Sequence, residues 1–382
     1  MKPLYATRIL DLTRLLPGAV CTMLLRDLGA EIIKVEDPRT GDYARLLPPL
    51  IDGMGAFFRG SNGGKKSIAL DLKTAEGQAI LHRLVATADV LIEGFRPGVT
   101  ARLAADYETL RAINPRLVYC SLSGWGQTGP YASLSGHDLN YIARNGVLGA
   151  SLEPSTPGAQ VADVSGAYVA VMGILAALLK RHHTGEGDYV DVALSEAAMP
   201  LALAAWVEAQ TRPANSGFIS LRGESACYRV YTCADGEAVA LGAVEAKFWA
   251  NFCNAVEQPE WIEQQHVHSR QPALIAAVAE LFRTKTAAVW AARLDDADCC
   301  LTRVITPAQL LADPQIAARG MVGVGERGAP WMRSPIRLGE DTIRRQPAPT
   351  HGEHTAELLR EIGYSDGETR TLMKDGVIRP AP

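Results

Sequence analysis

The sequence predicts an α/β fold in which parallel strands alternate with helices. In the first third of the chain, short runs rich in β-branched residues alternate with amphipathic segments of about 10–15 residues. Strands joined by such helices form a parallel sheet through right-handed crossovers. The chain has 382 residues, which is more than one ordinary domain of roughly 100–200 residues contains, so we expect a second domain.

The predicted elements follow one another in a regular order. The strands are Arg8–Leu12, Glu31–Glu36, Ser67–Leu72, Asp89–Glu93 and Arg116–Ser121. The helices between them are Gly18–Leu28, which Gly29 ends, then Ala75–Ala86 and Val99–Ile113. The repeated strand–helix unit favours a Rossmann-like domain with a parallel sheet.

After residue 160 the pattern changes to long apolar helices, predicted over Val164–Arg181 and Ser195–Ala209. The apolar run Ala167–Leu179 is shorter than the ~20 residues that span a bilayer, so we expect a buried helix and no membrane contact. A linker rich in turn residues follows over Thr211–Gly223. Several helices then extend to about Ala318.

Two short segments beyond that linker have clear local signals. Strands Tyr228–Thr232 and Glu237–Leu241 are joined around Asp235 and Gly236, and Asp-Gly supplies the positive φ that a hairpin turn requires. The tail contains three prolines and then a predicted helix over Glu353–Ile362.

Composition and charge exclude several classes of protein. The net charge is −4, from 38 Lys and Arg against 42 Asp and Glu, and 47% of residues are hydrophobic. No basic block marks a nucleic-acid surface. The sequence has seven cysteines, an odd number, and no two of them are spaced as C-x-x-C. We therefore expect reduced thiols in a cytoplasmic protein, and no metal site. The first residues lack the apolar core of a signal peptide.

A glycine motif follows the last predicted strand of the sheet. Gly124, Gly126 and Gly129 match G-x-G-x-x-G. A dinucleotide site also needs a helix that opens at the glycines and an acidic residue about 20 positions later. Pro130 follows the motif directly and Asp138 comes too early, so a tight glycine turn is the favoured interpretation.

Three polar residues are candidates for chemistry. His137 lies in the segment GHDLNY, beyond the carboxyl end of the predicted sheet, although a single histidine is more often structural. Asp163 begins the most apolar helix, either as an N-cap or as an acid–base group beside free N–H groups that could hold an enolate oxygen. Glu245 follows the hairpin and is either a solvated helix-start residue or a partner that orients a histidine.

Five basic residues lie mostly beside strand ends. Each one alone is typical of ordinary surface charge, but Arg96 stands out because a Pro-Gly turn follows it directly after a strand. The set consists of Lys65, Lys66, Lys73, Arg96 and Arg102.

Six segments in this order resemble the family III CoA-transferases (CaiB/BaiF), a superfamily that includes carnitine CoA-transferase and α-methylacyl-CoA racemase. They are residues 24–30 (LLRDLGA), 34–36 (KVE), 67–73 (SIALDLK), 93–98 (EGFRPG), 123–130 (SGWGQTGP) and 352–355 (GEHT). Within this superfamily the chain is most similar to the racemase branch, which combines an aspartate matching Asp163 with the histidine of a GHDxNY motif and a GAxE glutamate, matched by His137 and Glu245.

The resemblance implies a 1,1-proton transfer on a 2-methylacyl-CoA thioester through an enolate, in lipid metabolism. His137 and Asp163 would face opposite sides of the α-carbon, and Glu245 would contact His137. The alternative is CoA transfer from a thioester to a free carboxylic acid through an intermediate on Asp163. A silent acyl-CoA-binding protein is a third possibility, and the intact site residues disfavour it.

The resemblance also implies where coenzyme A binds, as part of the substrate and not as a permanently bound cofactor. Asp37 stands where relatives commonly have an arginine that contacts CoA, so that contact would either be missing or move to Arg39 or Arg45. The implied binding residues are Leu70, Asp71, Leu72, Lys73, Gly94, Phe95, Arg96, Pro97, Gly98, Arg102, Gly136, Asp138 and Tyr141.

Two domains and an interlocked homodimer complete the implied architecture. Residues 1–210 would form the large α/β domain, residues 211–224 a linker and residues 225–325 a small α+β domain. Residues 326–382 would return to the large domain. The active site would then combine His137 and Asp163 of one subunit with the partner subunit's Glu245.

Overall fold

The chain divides into two compact units. The computed structural model describes residues 2–211, 221–325, 328–338 and 346–379. The first unit comprises Met1–Asn145, Pro157–Pro200 and Leu311–Pro382, and the second comprises Gly146–Thr156 and Leu201–Leu310. The first unit therefore stops at Pro200 and resumes at Leu311. The sequence suggested that the large domain would stop at residue 210 and resume at residue 326. Most of the expected linker lies outside the described residues.

A seven-stranded sheet forms the centre of the first unit. Its strands are β1 (Arg8–Asp11), β2 (Glu31–Glu36), β5 (Lys66–Leu70), β6 (Val90–Glu93), β7 (Val118–Ser123), β8 (Tyr189–Ala193) and β14 (Ile378–Arg379). The spatial order is β14-β5-β2-β1-β6-β7-β8, and only β14 is antiparallel to its neighbour. Without β14 this is the 3-2-1-4-5-6 order of a doubly wound sheet. The α/β prediction is confirmed.

Helices connect these strands and cover the sheet. In the first unit they are α1 (Leu15–Asp27), α2 (Ala56–Asn62), α3 (Ala75–Val85), α4 (Val99–Arg102), α5 (Tyr107–Ile113), α6 (Asp138–Arg144), α7 (Val161–Thr184), α8 (Leu194–Ala197), α13 (Pro314–Ala318), α14 (Thr355–Glu361) and α15 (Asp366–Lys374). Two small hairpins complete the unit, β3 (Leu50–Ile51) with β4 (Met54–Gly55) and β12 (Val322–Val324) with β13 (Pro330–Met332).

Two predicted helices are broken in the structure. The segment Val99–Ile113 forms α4 and α5, because Ala104 adopts a φ of +49° between them and the Asp106 side chain caps α5. The segment Ser195–Ala209 forms α8, a 3₁₀ turn over Met199–Ala202 and α9 (Leu203–Thr211). Pro200 lies in that turn and has no N–H for a continuous helix.

Helix α7 is buried on one face only, which corrects the expectation of a buried helix. It has 24 residues, and 39% of its most apolar window is buried. Small residues face the sheet and α1, whereas Tyr168, Met172 and Leu179 are exposed. By length and composition alone this helix could cross a membrane, and core helices of soluble proteins meet the same criteria.

The second unit has its own antiparallel sheet and core. Strand β9 (Tyr228–Thr232) pairs with β10 (Ala238–Gly242), which pairs with β11 (Leu301–Arg303). The predicted hairpin is confirmed, with Gly236 at a φ of +79°. Helices α10 (Ala246–Ala255), α11 (Gln271–Phe282) and α12 (Ala287–Leu294) pack on the sheet through a core of aromatic side chains.

Candidate active site

The order of the sheet places the site of the first unit. After β1 the chain continues to β2 on one side of the β1–β6 pair, and after β6 it continues to β7 on the other side. Ligands of open α/β sheets bind in the crevice at such a switch point. Two clefts open there, of about 690 Å³ and about 760 Å³. Residues that follow β1 and residues that follow β6 line both. We call the smaller one the reaction cleft and the larger one the outer cleft.

His137 and Asp163 both line the reaction cleft. His137 is the exposed N-cap residue of α6, and its N–H donates to Asn140 Oδ1 at 3.0 Å. Asp163 is the third residue of α7, and its side chain is half-buried. The two residues predicted for proton transfer are therefore brought to one cleft from two different helices.

Asp138 caps α7, so Asp163 does not. The Asp138 carboxylate accepts hydrogen bonds from the N–H groups of Ala162 at 2.6 Å and Asp163 at 3.0 Å. The N-cap position itself belongs to Gln160. Of the two interpretations of Asp163, the N-cap is therefore wrong, and these two N–H groups are not free to hold an enolate oxygen. Asp138 instead ties the start of α7 to α6.

The environment raises the pKa of Asp163 to about 6. Burial contributes most, because it disfavours the charged carboxylate, and the Asp138 carboxylate raises the pKa further by repulsion. His137 acts in the opposite direction. A pKa near 6 suits a group that gains and loses a proton close to neutral pH.

The glycine motif forms a tight turn, as predicted. Gly126 and Gly129 have φ values of +85° and +92°, and the next helix after the motif, α6, begins only at Asp138. A Cβ at Gly124 would lie 2.4 Å from the Tyr141 hydroxyl. Tyr141 donates that hydroxyl to Gly136 O at 2.6 Å. The glycines thus allow Tyr141 to pack against the turn beside His137.

Most of the predicted CoA-binding residues line the two clefts. Gly94, Phe95, Arg96, Pro97, Gly136 and Tyr141 line the reaction cleft. Leu70, Asp71, Leu72, Lys73, Phe95 and Arg102 line the outer cleft. Gly98 and Asp138 line neither cleft. Gly98 is the N-cap residue of α4, in the left-handed conformation, and Asp138 bonds the start of α7.

Arg39 lies in the outer cleft beside Asp37, whereas Arg45 lines neither cleft. Arg39 lines the outer cleft, 3.8 Å from the carboxylates of both Asp37 and Asp71. Arg45 is buried, forms an ion pair with Glu36 at 2.7 Å and lies over the Phe58 ring. The expectation that Arg45 might contact CoA is therefore wrong.

Two of the five basic residues lie away from the clefts. Lys65 is buried and bonds Thr22 and Asn62, and burial lowers its pKa to about 8. Lys66 forms ion pairs with Glu31 at 2.9 Å and Glu357 at 2.8 Å. The other three, Lys73, Arg96 and Arg102, line the clefts.

Several residues that line the clefts were not predicted as site residues, and Ser123, Trp125, Arg14 and Tyr43 are among them. Ser123 and Trp125 line the reaction cleft, and Ser123 Oγ and Trp125 Nε1 are buried without a hydrogen-bond partner among the described residues. Arg14 and Tyr43 line both clefts. Ser123 and Trp125 both lie in the family segment 123–130 (SGWGQTGP), and this segment is the sequence signal that points to them.

Glu245 lies in the second unit. It is exposed and is the N-cap residue of α10, with a backbone φ of −71° and no side-chain bond to the helix. In the described ranges, no group of three or more His, Cys, Asp and Glu side chains is arranged to hold a metal ion.

The chain belongs to CoA-transferase family III, whose family model matches residues 4–355. This confirms the family that the six sequence segments predicted. A solved CAIB/BAIF family protein from Brucella suis superposes with a TM-score of 0.81 at 30% identity, covering 94% of this chain and 99% of that one. The family implies an enzyme.

Relatives with two activities are similar to the chain. An α-methylacyl-CoA racemase from Mus musculus is 34% identical over 394 residues, covering 98% of this chain and 97% of the relative. A succinate–glutarate CoA-transferase from Agrobacterium fabrum is 33% identical over 390 residues, covering 94% and 96%. The identities are nearly equal, so the choice between the two activities depends on the site.

Proposed function

We propose that the protein is a racemase-like isomerase that inverts the α-carbon of 2-methylacyl-CoA thioesters. The observation that carries this proposal is the presence of His137 and Asp163 on one cleft, supplied by two separate helices. Racemisation by two bases needs one group on each side of the carbon. The pKa of Asp163, near 6, lets the carboxyl act as base or acid close to neutral pH.

The reaction replaces the α-proton with a proton from the opposite face, and the α-C–H bond is the only bond to carbon that breaks. One base takes the α-proton, and the C–H electron pair becomes the enolate, with the negative charge on the thioester oxygen. The conjugate acid of the other base then gives a proton to the opposite face of the same carbon. His137 and Asp163 exchange the two roles for the two enantiomers, so the reaction runs in both directions.

The enolate oxygen needs donors other than the two N–H groups that Asp138 occupies. Ser123 Oγ and Trp125 Nε1 are buried in the wall of the reaction cleft and lack partners within the described ranges. Buried donors without partners are rare, because each one loses its bond to water. In our proposal these two groups donate to the thioester oxygen and stabilise it most when it becomes an enolate.

The test is α-proton exchange in D₂O. A panel of chiral 2-methylacyl-CoA thioesters of different chain length is incubated with the protein and analysed by mass spectrometry and chiral separation. We expect incorporation of one deuterium together with loss of optical purity. Failure to incorporate α-deuterium into any member of the panel would contradict the proposal.

CoA transfer is the second candidate, because transferases of the same family are equally similar and Asp163 lies in the cleft. Asp163 would attack the thioester, releasing CoA and leaving a mixed anhydride that hydroxylamine traps. His137→Ala separates the candidates. The racemase proposal expects this variant to lose racemisation, whereas transfer through Asp163 would continue in it.

We also propose a homodimer, in which the partner subunit's Glu245 completes the site at His137. Two features support it: Glu245 is exposed with no side-chain bond to its helix, and the apolar face of α7 with Tyr168, Met172 and Leu179 is uncovered in a single chain. Light scattering with size exclusion should give twice the chain mass of 41.0 kDa. A monomer at micromolar concentration would contradict this assembly.

A further inference from the structure

The wall between the two clefts contains an arginine that lies outside the six sequence segments that carry the family resemblance. Arg14, Tyr43 and Phe95 line both the reaction cleft and the outer cleft. A CoA thioester that reacts in one cleft and holds its adenosine end in the other must pass this wall. Its diphosphate lies between the pantetheine arm and the adenosine, so the diphosphate is the part of the molecule nearest the middle.

We propose that Arg14 is the residue that binds the diphosphate of the CoA substrate at this wall. The inference rests on the proposed use of an acyl-CoA. Arg14 is half-buried and has no carboxylate within 4.0 Å among the described residues, whereas Arg39 in the outer cleft has two. A half-buried guanidinium without a counter-charge is poised for an anionic ligand, and its fork of donors matches phosphate oxygens.

Aromatic side chains hold the Arg14 guanidinium in place. Arg14 Nη1 donates to the Tyr43 hydroxyl at 2.9 Å. The guanidinium carbon lies 5.0 Å from the centre of the Tyr43 ring and 5.9 Å from that of Phe95. Tyr43 accepts one N–H of the Arg14 guanidinium, and the other N–H groups remain available for a ligand. The two rings restrict the rotamers that the long Arg14 side chain would otherwise sample. Less conformational entropy is then lost when the ligand binds.

The backbone on both sides of Arg14 is tied to a buried charge cluster. Thr13 O accepts a hydrogen bond from Lys34 Nζ at 2.9 Å, and Leu15 N–H donates to Asp42 Oδ1 at 3.3 Å. Lys34 and Asp42 form an ion pair at 2.9 Å and are each 1% exposed. Leu15 has a φ of +61°, a conformation that leucine adopts only under constraint. The cluster thus fixes where Arg14 leaves the chain.

The test measures equilibrium binding of free CoA and of dephospho-CoA, which lacks only the 3′-phosphate. Arg14→Met keeps the apolar stem and removes the charge. We expect this substitution to weaken the binding of both ligands by the same factor, roughly 10- to 100-fold for the loss of a charge-assisted pair. The salt dependence of Kd should also decrease, because one phosphate contact is lost. Tyr43→Phe should weaken the binding of both ligands only a few-fold.

Arg83→Met is the matched control, because Arg83 lies over the Tyr364 ring at 4.4 Å but lines neither cleft. It should leave both affinities unchanged. Three results for Arg14→Met would each overturn the inference. The first is an unchanged affinity for CoA, and the second is a loss of affinity for CoA but not for dephospho-CoA. The third is an equal loss of affinity for both ligands with an unchanged salt dependence of Kd. Failure of the unaltered chain to bind CoA would contradict the proposed function itself, which keeps the two failures distinct.

Discussion

Replacing Asp138 with asparagine separates the two effects of this side chain on Asp163. The carboxylate caps the start of α7 through the N–H groups of Ala162 and Asp163, and its charge raises the pKa of Asp163. Asp138→Asn retains an oxygen that can accept the same hydrogen bonds, and it removes the charge. The position of Asp163 should therefore be preserved while its acidity changes.

The magnitude follows from the environment of Asp163. Its pKa is raised from 3.8 to about 6, with burial as the largest cause and Asp138 as the second. Loss of the second cause should lower the pKa of Asp163 by about one unit, within the range for a neighbouring charge. For the enantiomer from which Asp163 takes the proton, the ionised carboxylate is the base, so the rate of exchange of that enantiomer falls as the pH decreases through this pKa. The acidic limb of kcat/KM should then move to lower pH by about one unit.

The assay is the pH dependence of kcat/KM for α-deuterium incorporation between pH 4.5 and 8. Asp106→Asn is the matched control, since Asp106 caps α5 outside both clefts, and its acidic limb should stay in place. Asp138→Ala should add a loss of about 1 kcal/mol in the free energy of unfolding, because the cap is removed as well. An acidic limb that stays in place or moves to higher pH in Asp138→Asn would refute the reasoning.

Three further predictions concern catalysis and stability. Trp125→Phe removes the indole N–H and should lower kcat by roughly 10²-fold with little change in KM; an effect on KM alone would contradict an enolate contact. Asp11→Asn leaves the buried ammonium groups of Lys34 and Lys65 with less counter-charge, and urea denaturation should show a loss of about 3–5 kcal/mol. Burial alone would raise the pKa of Glu36, but its bonds to Arg45 lower it to about 2. The contribution of Glu36 to the free energy of unfolding is therefore complete above about pH 4.5 and is lost as the pH falls towards 2. In Glu36→Gln, the free energy of unfolding should depend less steeply on pH in this range than in the unaltered chain. An equally steep dependence in the variant would contradict this prediction.

The central strands of the sheet were predictable and its edges were not. Residues 31–36 (EIIKVE) form a strand with the predicted bounds, because the β-branched residues Ile32, Ile33 and Val35 favour a strand. Strand β8 has the sequence YVDVA and is partly exposed, so its pattern is weak. Strand β14 has two residues and pairs with β5 from the far end of the chain. Pairing of this kind depends on tertiary structure.

The site was predictable where a motif marked it. His137 and Asp163 were found from short segments, and both line the reaction cleft. The bond from Ala162 to Asp138 joins residues 24 positions apart, and no local pattern predicts it. Lys65 and Lys73 are alike as sequence signals, yet one is buried in a charge cluster and the other is exposed in the outer cleft. Burial decides their roles, and burial is a property of the fold.

Enantiomer-resolved deuterium exchange in single-base variants tests the two-base claim most directly. With only one base left, the base returns a deuteron to the face from which it took the proton, so exchange proceeds with retention. We predict that His137→Ala and Asp163→Asn each incorporate α-deuterium into one enantiomer, opposite in the two variants, and that neither racemises its substrate. Exchange of the same enantiomer by both variants, or racemisation that survives either substitution, would contradict the account.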